Sequence, residues 1–537
     1  MKAFIAALAV GVAALLVGAS AASSAKPSLQ HYMIGFGHSP NASDTALVKS
    51  HGGNVRYSFP SIDVLAVDLP SDQVNDVKQS TGVSYVETDP VRTPLTLSND
   101  LQTSEYPATA TNGLYGLVTT HAVEAQAAGF EGAGVKACVA DTGIDTRQVD
   151  IAPNLVDTHD VFNDTTGLHA TDVYDLGVAA TETHGTHTSG IVLGAINGIG
   201  IHGVAPEAKL YEARVLGTQP DGVTVEGTTS QVMAGAQWLA DQGCKVINMS
   251  LGGADRSQAE EALYNQIRNN GTLIVAASGN DAANHPSFPA RYQSVVAVGA
   301  VDQNNALASF SNTGGQIDLV APGVNNLSSF PSDQGRDAFL FAGKDISALP
   351  FEFSGATPTA GLTSTLVKCG LAQTAADCGA SPPAGFVALI QRGAVTFAQK
   401  VKSAMAAGAG AAIIYNNAAN GPGNFNGTLG TPTNNGKAWI PAISLSQTDG
   451  DALAAAPPAM ATVFNIAMAW NFDSGTSMAA PHVSGVAALV FGKDPNLSPD
   501  QVETILERNA TDLGVPNYDT TYGWGLVNAQ AAVAATP

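Results

Sequence analysis

The sequence has few basic residues for its length. Of its 537 residues, 23 are lysine or arginine and 45 are aspartate or glutamate, giving a formal net charge of −22. This balance argues against a surface of clustered cations, and therefore against nucleic acid as a partner. It favours a soluble protein kept dispersed by its own charge. The length is enough for two to four domains.

Cysteine is also scarce, and four cysteines are too few for a disulfide scaffold. Cys369 and Cys378 enclose a short polar loop, and in an oxidising compartment we expect them to pair. Cys138 and Cys244 each lie in or beside an apolar, strand-like run. Cysteine in such a run is usually a small buried hydrophobic residue, so we expect these two to remain unpaired.

Long apolar runs are missing after the first 25 residues. Those residues begin with Lys2, continue through an Ala/Leu/Val run and reach the small residues at 19–21, which is the pattern of an export signal. An uncleaved membrane anchor is the alternative. No later run approaches the ~18 strongly apolar residues of a spanning helix. We predict a signal peptide over residues 1–21, a secreted, extracellular protein, and no membrane contact after signal removal.

A small α+β unit follows, assigned to residues 26–97. HYMIGFG, SIDVLAVDLP and VSYVETDP predict strands, and SDQVNDVKQSTG predicts a short helix. The stretch after residue 93 is rich in Ser, Thr, Asn and Pro. That composition is typical of an exposed linker, where chains are readily cut.

The pattern then changes to α/β alternation over residues 98–344 and 462–537. GVKACVADTGI, KVINMSLGG, TLIVAASGN, SVVAVGAV and IDLVAPG are apolar on both faces, as buried parallel strands must be. Helical segments separate several of them, for example residues 229–243. We predict a mostly parallel central sheet with functional residues at the carboxyl ends of its strands.

Residues 345–461 differ in character and predict a separate inserted domain. The stretch from 386 to 417 indicates a strand, an amphipathic helix and a second strand. The helix places Phe397, Val401, Ala404 and Met405 on one face.

Three short stretches offer a hydroxyl, an imidazole and a carboxylate. Ser477 lies among small residues where a helix begins, His184 opens HGTHTSG, and Asp141 follows the strand VKACVA. Alone, each has an ordinary alternative: a helix start, a capping histidine and a turn aspartate. His184 and His187 would also suit a metal pair, although no third ligand or zinc motif accompanies them. A hydroxyl becomes a nucleophile when an oriented base takes its proton.

Taken together, these stretches resemble a known family. DTGID at 141–145, HGTHTSG at 184–190 and GTSMAAPHVSG at 475–485 are similar to the three signature blocks of the subtilisin-like serine proteases, in that family's order. The resemblance covers about 115–330 and 462–535. It implies a three-layer, subtilisin-like α/β fold.

The resemblance also implies the roles of the catalytic residues. Ser477 would be the nucleophile, His184 the general base and then acid, and Asp141 the residue that fixes the imidazole. Asn280, at the end of TLIVAASGN, would donate to the oxyanion beside the Ser477 amide. A turn asparagine is the alternative for Asn280.

A substrate-pairing strand is implied at Ser250, Leu251, Gly252 and Gly253. Its glycines leave room for a substrate backbone to add as a further strand. The end of a core strand is the alternative. Polypeptides are the implied substrates, and we expect broad specificity for apolar or aromatic residues.

The family's structural calcium site has matching positions in this chain. Asp150, the Asn197 side chain and the carbonyl oxygens of Ala195, Ile199 and Ile201 fit it, and oxygen ligands suit calcium. The family's additional N-terminal ligand has no assignable counterpart, and an ordinary Asn-Gly turn is the alternative. If calcium binds here, chelation should weaken stability before it affects chemistry.

The flanking units also resemble parts of this family. Residues 26–97 are similar to its inhibitory propeptide, which would act as an intramolecular inhibitor, and the linker after it would be the self-cleavage region. Residues 345–461 are similar to a protease-associated domain. Such domains often carry a cysteine where this chain has Ala394 and Val395. A role in substrate access or docking and a plain structural appendage both remain open for this insert.

The sequence therefore predicts a monomeric, secreted serine endopeptidase. A catalytically inactive binding protein on the same fold is the alternative, and the intact Asp141, His184, Ser477 and Asn280 argue against it. An esterase or small-amide hydrolase using the same residues is a further alternative. A metallohydrolase would instead need chelator-sensitive chemistry.

Overall fold

The first described residues, from Leu29 onwards, belong to an antiparallel sheet of the N-terminal unit. The computed structural model describes residues 29–94, 114–163, 165–166, 183–219, 225–331, 335–419, 422–425, 427–430 and 433–537. The predicted signal peptide at 1–21 and most of the predicted linker lie outside these residues. Within the described ranges, no helix is both long and apolar enough to cross a membrane.

The N-terminal unit is a four-stranded antiparallel sheet in the order β2-β3-β1-β4, with two helices. The three predicted strands are present, and helix α1 and strand β2 are additional. The start of α1 has a sequence signal, because Asn41 and Asp44 form a reciprocal capping box. The elements are β1 (Leu29–Phe36), α1 (Ala42–Ser50), β2 (Asn54–Phe59), a short 3₁₀ helix (Pro60–Ile62), β3 (Val64–Pro70), α2 (Val74–Lys78), β4 (Val83–Thr88) and β5 (Val91–Pro94).

The first part of the larger domain alternates helices and strands, as predicted. Its elements are α3 (Tyr115–Thr119), α4 (Ala122–Ala127), β6 (Ala137–Asp141), β7 (Leu155–Asp160), β8 (Thr165–Thr166), α5 (His184–Leu193), β9 (Leu210–Arg214), β10 (Gly217–Thr218), β11 (Val225–Thr228), α6 (Thr229–Asp241), β12 (Val246–Met249), β13 (Leu251–Gly252), α7 (Gln258–Asn269), β14 (Leu273–Ala277), β15 (Val295–Val301), β16 (Leu319–Pro322) and β17 (Asn326–Ser329).

The inserted domain is built on its own sheet, which runs from Gly335 to Met468. The sequence had assigned the insert to 345–461. The predicted amphipathic helix is present as α8. The elements are β18 (Gly335–Phe341), β19 (Asp345–Ser347), β20 (Leu349–Glu352), β21 (Leu362–Lys368), a 3₁₀ helix (Ala375–Cys378), β22 (Val387–Gln391), α8 (Phe397–Ala406), β23 (Ala411–Tyr415), β24 (Gly427–Thr428), β25 (Thr433–Asn434), β26 (Lys437–Ala438), β27 (Ala442–Leu445), α9 (Gln447–Ala455) and β28 (Met460–Met468).

The chain then returns to the larger domain through a strand and three helices. Strand β29 pairs with β17, so the insert leaves and re-enters the domain at neighbouring points. The elements are β29 (Trp470–Asp473), α10 (Thr476–Lys493), α11 (Pro499–Arg508) and α12 (Ala529–Ala535).

The central sheet has the order β16-β15-β14-β12-β6-β9-β7-β8, and all its pairings are parallel except that of β8 with β7. Helices cover both faces. Along β6, Val139 packs with apolar residues of α5 and α10, whereas Cys138 and Ala140 pack with those of α6 and α7. Burial on both faces explains why these strands are apolar throughout. The predicted three-layer α/β fold is confirmed.

The prediction that Cys138 and Cys244 remain unpaired is wrong. They form a disulfide with their Cα atoms 6.0 Å apart. Cys138 lies on β6 and Cys244 just before β12, and these strands are neighbours in the sheet. Their separation of 106 residues concealed this proximity. The predicted Cys369–Cys378 disulfide is confirmed.

Candidate active site

Asp141 and His184 meet at the carboxyl end of β6. Asp141 is the last residue of the strand, and His184 is the first residue of α5. His184 Nδ1–H donates to Asp141 Oδ1 at 2.7 Å, and both side chains are buried. The Thr142 amide donates to the same oxygen at 2.7 Å, and Thr188 Oγ1 donates to Oδ2 at 3.3 Å. The carboxylate is therefore held in a fixed orientation that also fixes the imidazole.

The approach of α5 to β6 requires glycine after the histidine. A Cβ at Gly185 would lie 2.1 Å from the carbonyl oxygen of Gly143, closer than any side chain can come. Gly143 itself has a φ of +107°, a conformation that favours glycine. The small residues of both signature stretches thus let the two chain segments come close enough for the hydrogen bond.

Burial and the neighbouring carboxylate act on His184 in opposite directions. Burial lowers the pKa of the imidazole, but the charge and hydrogen bond of Asp141 outweigh it, so the pKa is raised overall. His187 differs: burial lowers its pKa to about 3. Its Nε2 lies 3.1 Å from the carbonyl oxygen of Asn326 and 3.2 Å from that of Asn471. His187 is thus a neutral residue bound to the backbone.

Ser477 lies in the first turn of α10 and is fully buried. Its Oγ donates to the carbonyl oxygen of Ser250 at 3.0 Å, and Ser250 Oγ donates to the carbonyl oxygen of Ser477 at 2.7 Å. The second bond has a local cause. Pro481, four residues later, has no N–H to donate to the Ser477 carbonyl within the helix, and the Ser250 hydroxyl takes that place. Pro481 lies inside α10.

Asn280 follows β14 and is oriented by the residue before the serine. Its Oδ1 accepts from the Thr476 amide and from Thr476 Oγ1, each at 2.9 Å. This assigns the acceptor end of the amide to Thr476 and turns its donor, Nδ2, away. Asn280 is therefore held at the start of an 18-residue helix, whose positive dipole end lies beside Ser477.

The imidazole of His184 retains one uncommitted nitrogen. Its Nε2 is buried and has no hydrogen-bond partner among the described residues. Asp473, four residues before Ser477, is close enough to interact electrostatically with His184. Burial raises the pKa of the Asp473 carboxyl to about 7, although His184 and the Ser474 amide act to lower it. Together these groups provide a hydroxyl, a buried base and donors for a developing negative charge.

The cleft beside Ser477 contains strand β5 of the N-terminal unit. This strand pairs with β11 on one side and with β13 on the other, and both pairings are antiparallel. Two of the predicted substrate-binding residues take part, because Leu251 lies opposite Pro94 and Gly252 opposite Thr93. A Cβ at Gly253 would lie 2.6 Å from the carbonyl oxygen of Val91. The glycines thus make room for an added backbone.

The same unit binds the N-termini of two helices. Glu87 accepts from Ser257 Oγ at 2.8 Å and from the amides of Gln258 and Ala259 at the start of α7. Asp89 accepts from the Ser230 amide at 2.7 Å at the start of α6. Carboxylates at helix N-termini are favoured by hydrogen bonding and by the helix dipole.

The residues of the predicted calcium site come together, but N–H donors occupy the carboxylate. Asn197 Nδ2 donates to Asp150 Oδ1 at 3.0 Å, and the Ile201 amide donates to Oδ2 at 3.2 Å. The indole N–H of Trp470 also donates to Oδ2. Asn197 Oδ1 accepts from the Ile199 amide, and the Ala195 amide donates to the backbone carbonyl oxygen of Asp150. A cation needs these oxygens turned towards it, so in this arrangement the side-chain oxygens of Asp150 and Asn197 are bound to N–H donors and not to a cation.

Sequence reasoning missed several residues around the site. Burial, followed by the charge of Asp141, raises the pKa of Glu212 well above its usual range, which favours the neutral form of this carboxyl. Thr476 binds Asn280 and Thr188 binds Asp141; both threonines lie within the signature stretches, but the sequence predicted no role for them. The pairing of Arg92 with Glu260, described below, joins two units and has no local signal at all.

Comparison with known families agrees with this geometry. The model of the Subtilase family matches residues 132–368 and 462–525, and the model of the PA domain matches residues 362–453. The first match covers more than half of the chain. The chain therefore belongs to the subtilase family and carries an inserted PA domain. It is a serine endopeptidase, and its substrates are polypeptides.

Individual relatives extend this result. An alkaline protease of Alkalihalobacillus alcalophilus is 34% identical over 328 residues, covering 58% of this chain and 77% of the relative. Subtilisin E of Bacillus subtilis is 31% identical over 325 residues, covering 58% and 76%. Among solved structures, a psychrophilic subtilisin-like protease from an Antarctic Pseudoalteromonas is 30% identical, with a TM-score of 0.51, covering 78% of this chain and 97% of that one. The fold is thus subtilisin-like.

Proposed function

We propose that this chain is a secreted, self-processing zymogen whose mature form cuts peptide bonds through Asp141, His184 and Ser477. Residues 1–21 would direct export, residues 26–97 would inhibit and then be removed, and 98–344 with 462–537 would form a monomeric catalytic domain. The insert at 345–461 would be a non-catalytic accessory. The buried hydrogen bond between His184 Nδ1 and Asp141 Oδ1 carries this proposal, because it leaves Nε2 as the base.

In this mechanism Ser477 Oγ turns from the Ser250 carbonyl towards His184 Nε2 and gives up its proton as it attacks the substrate carbonyl. His184 becomes an imidazolium, which Asp141 stabilises through Nδ1–H. Asn280 Nδ2 and the Ser477 amide donate to the oxyanion. The imidazolium then protonates the leaving amine, which leaves an acyl-enzyme on Ser477. Water, activated by the same imidazole, hydrolyses the ester.

Inhibition by the N-terminal unit follows from where β5 lies. A strand paired with both β11 and β13 fills the positions where a substrate backbone would pair. Glu87 and Asp89 add contacts outside the cleft that a short substrate lacks. The unit would therefore bind more firmly than substrate until it is cut from the chain and leaves.

Calcium has no step in this mechanism. Subtilases commonly bind structural calcium, and the predicted site lies at the Asp150 loop. For a cation to bind there, Trp470 would have to release Asp150 Oδ2. The calcium site therefore remains a prediction.

The central experiment compares intact masses of the full chain and of Ser477→Ala after expression. We expect the normal chain to lose its N-terminal unit and the variant to keep the segment after the signal. Ser294→Ala is a matched control, because its buried hydroxyl has no partner among the described residues, and it should mature normally. If the variant were trimmed as the normal chain is, self-processing would be wrong. If it also hydrolysed a protein substrate at the normal rate, the catalytic assignment would be wrong.

A further inference from the structure

Strand β5 shows the register in which an extended peptide lies in the cleft. Pro94 pairs with Leu251 and Thr93 with Gly252, so residue numbers rise along β5 as they fall along β13. Consider a peptide bound in this register, and call the residue at the place of Arg92 residue n. Its residue n+3 then lies opposite Ser250. The Ser250 carbonyl oxygen is 3.0 Å from Ser477 Oγ. The bond that is cut therefore follows residue n+3.

The side chain at position n enters a pocket that contains a carboxylate. Arg92 is 0% exposed, although β5 lies at the surface of the larger domain. Its Nη2 and Nε donate to the two carboxylate oxygens of Glu260, the latter bond at 3.3 Å. Glu260 belongs to α7 and is also 0% exposed. This two-point contact is the geometry in which arginine binds carboxylates most specifically.

Besides Arg92, groups of the larger domain hold the carboxylate. The Tyr264 hydroxyl donates to Glu260 Oε1 at 3.2 Å, and the Tyr292 hydroxyl lies 2.9 Å from Oε2. The Ser257 amide donates to the Tyr292 hydroxyl at 2.9 Å. A Cβ at Gly253 would lie 3.0 Å from Arg92 Nη1, so the glycine also makes room for the guanidinium. These contacts of Glu260 lie within the larger domain and do not involve the N-terminal unit.

A buried carboxylate of this kind discriminates strongly between side chains. An apolar or acidic side chain at position n would leave Glu260 without a counter-charge, which is the costly way to break a buried ion pair. Lysine would restore the charge but not the two-point contact, because its ammonium is a single point. Arginine satisfies both requirements.

We propose that the Glu260 pocket is a substrate subsite that selects arginine at the fourth residue before the cleaved bond. The inference rests on the proposed function, since it concerns substrates of the same cleft. It replaces the expectation of broad specificity with one defined requirement away from the cleaved bond. In the zymogen, Arg92 fills the subsite. After the N-terminal unit leaves, residues of the larger domain line it and substrates can reach it.

The test uses mature enzyme, obtained from the full chain, and quenched fluorescent peptides with the sequence Val-Arg-Thr-Pro-Leu-Thr-Leu-Ser, which spans positions 91–98. The arginine is replaced by alanine, lysine or citrulline in matched peptides. We expect kcat/KM for the arginine peptide to exceed that for the alanine peptide about 10- to 100-fold, the effect of a hydrogen bond to a charged group. Lysine should be intermediate. Citrulline, a neutral isostere, should fall close to alanine.

The enzyme variants identify the pocket. Glu260→Gln should reduce the arginine-to-alanine ratio to near one. Glu261→Gln, the next residue of α7, pairs with Arg256 at the surface and should keep the full ratio. Each ratio is measured within one enzyme preparation, so partial unfolding cancels. If Glu260→Gln does not fold, the citrulline peptide still tests the charge with the normal enzyme.

The possible results separate the two proposals. Equal cleavage of the arginine, citrulline and alanine peptides, or a ratio that survives Glu260→Gln, would overturn the subsite while leaving the endopeptidase mechanism intact. If the mature enzyme cleaves none of the peptides and no protein substrate, the proposed function fails, and the subsite with it.

Discussion

The catalytic domain and the inserted domain both contain parallel strands whose carboxyl ends carry polar residues. In the catalytic domain these ends hold Asp141 beside His184, whose Nε2 has no partner among the described residues. In the insert, Arg392 follows β22 and donates to Asn416 Oδ1 at 3.2 Å, while its guanidinium lies 4.5 Å from the Phe425 ring centroid. Polar groups at the insert's strand ends thus satisfy one another. Parallel strands position such groups in both domains. Of the two arrangements, the one in the catalytic domain has a base, His184 Nε2, that is available to accept a proton.

The largest expected difference between the domains is in catalysis. His184→Ala should lower kcat on a short peptide by about 10⁴- to 10⁶-fold, because the base that activates Ser477 is lost. Arg392→Ala should leave kcat within about twofold, since the contacts of this guanidinium with Asn416 and Phe425 lie within the insert. A large loss of kcat in Arg392→Ala, with a normal circular dichroism spectrum, would contradict the assignment of catalysis to the catalytic domain alone.

The two disulfides offer a second comparison, in stability. Cys138–Cys244 closes a separation of 106 residues and Cys369–Cys378 one of nine. Chain entropy then predicts that replacing the first pair by alanine lowers the free energy of unfolding by about 5 kcal/mol, and replacing the second by about 2.5 kcal/mol. Urea unfolding of each double variant measures both values. Equal losses would show that loop length does not control the effect.

The domains should also differ in how their stability depends on pH. In the catalytic domain, burial, with contributions from Glu503 and Glu507, raises the pKa of Asp318 to about 8. The folded state therefore favours the protonated form of Asp318. The contribution of Asp318 to the free energy of unfolding is complete below about pH 4 and is lost as the pH rises through 8. In the insert, burial lowers the pKa of Lys400 to about 8. Its contribution is present above about pH 10.5 and lost as the pH falls through 8.

Two variants test these opposite trends. Asp318→Asn should gain Tm relative to the normal protein as the pH rises from 5 to 9. Lys400→Met should gain Tm relative to the normal protein as the pH falls from 10 to 7. Calorimetry at several pH values measures both differences, and a difference independent of pH in either variant would refute the corresponding burial argument.

The smallest expected effect concerns the point where the two domains meet. Trp470 follows the last strand of the insert, and its indole N–H holds Asp150. We expect the Tm of the normal protein to change little between chelator and added calcium. Trp470→Phe removes the donor, so its Tm should rise with calcium, by linkage to binding. A strong calcium dependence in the normal protein would instead support the calcium site inferred from the sequence.

Local patterns in the sequence predicted much of the fold and of the site. Runs that are apolar on both faces identified β6, β12, β14, β15 and β16, because a covered parallel strand has no polar face. The small residues around Asp141, His184 and Ser477 carry the family signature, since close backbone approach at each position depends on residues nearby in the chain. The amphipathic helix of the insert was predicted from its own periodicity for the same reason.

What the sequence determined by itself was therefore the set of groups that short stretches of chain present. The tertiary structure decided which distant groups meet: Cys138 with Cys244 across 106 residues, Arg92 with Glu260 across 168, and Trp470 with Asp150 across 320. The two partners of each pair lie far apart in the chain, and each pairing depends on how the sheet and helices pack. The physical reason is that a buried charge, thiol or indole N–H binds a partner that tertiary packing brings close to it. The sequence around either residue contains no pattern that identifies this partner.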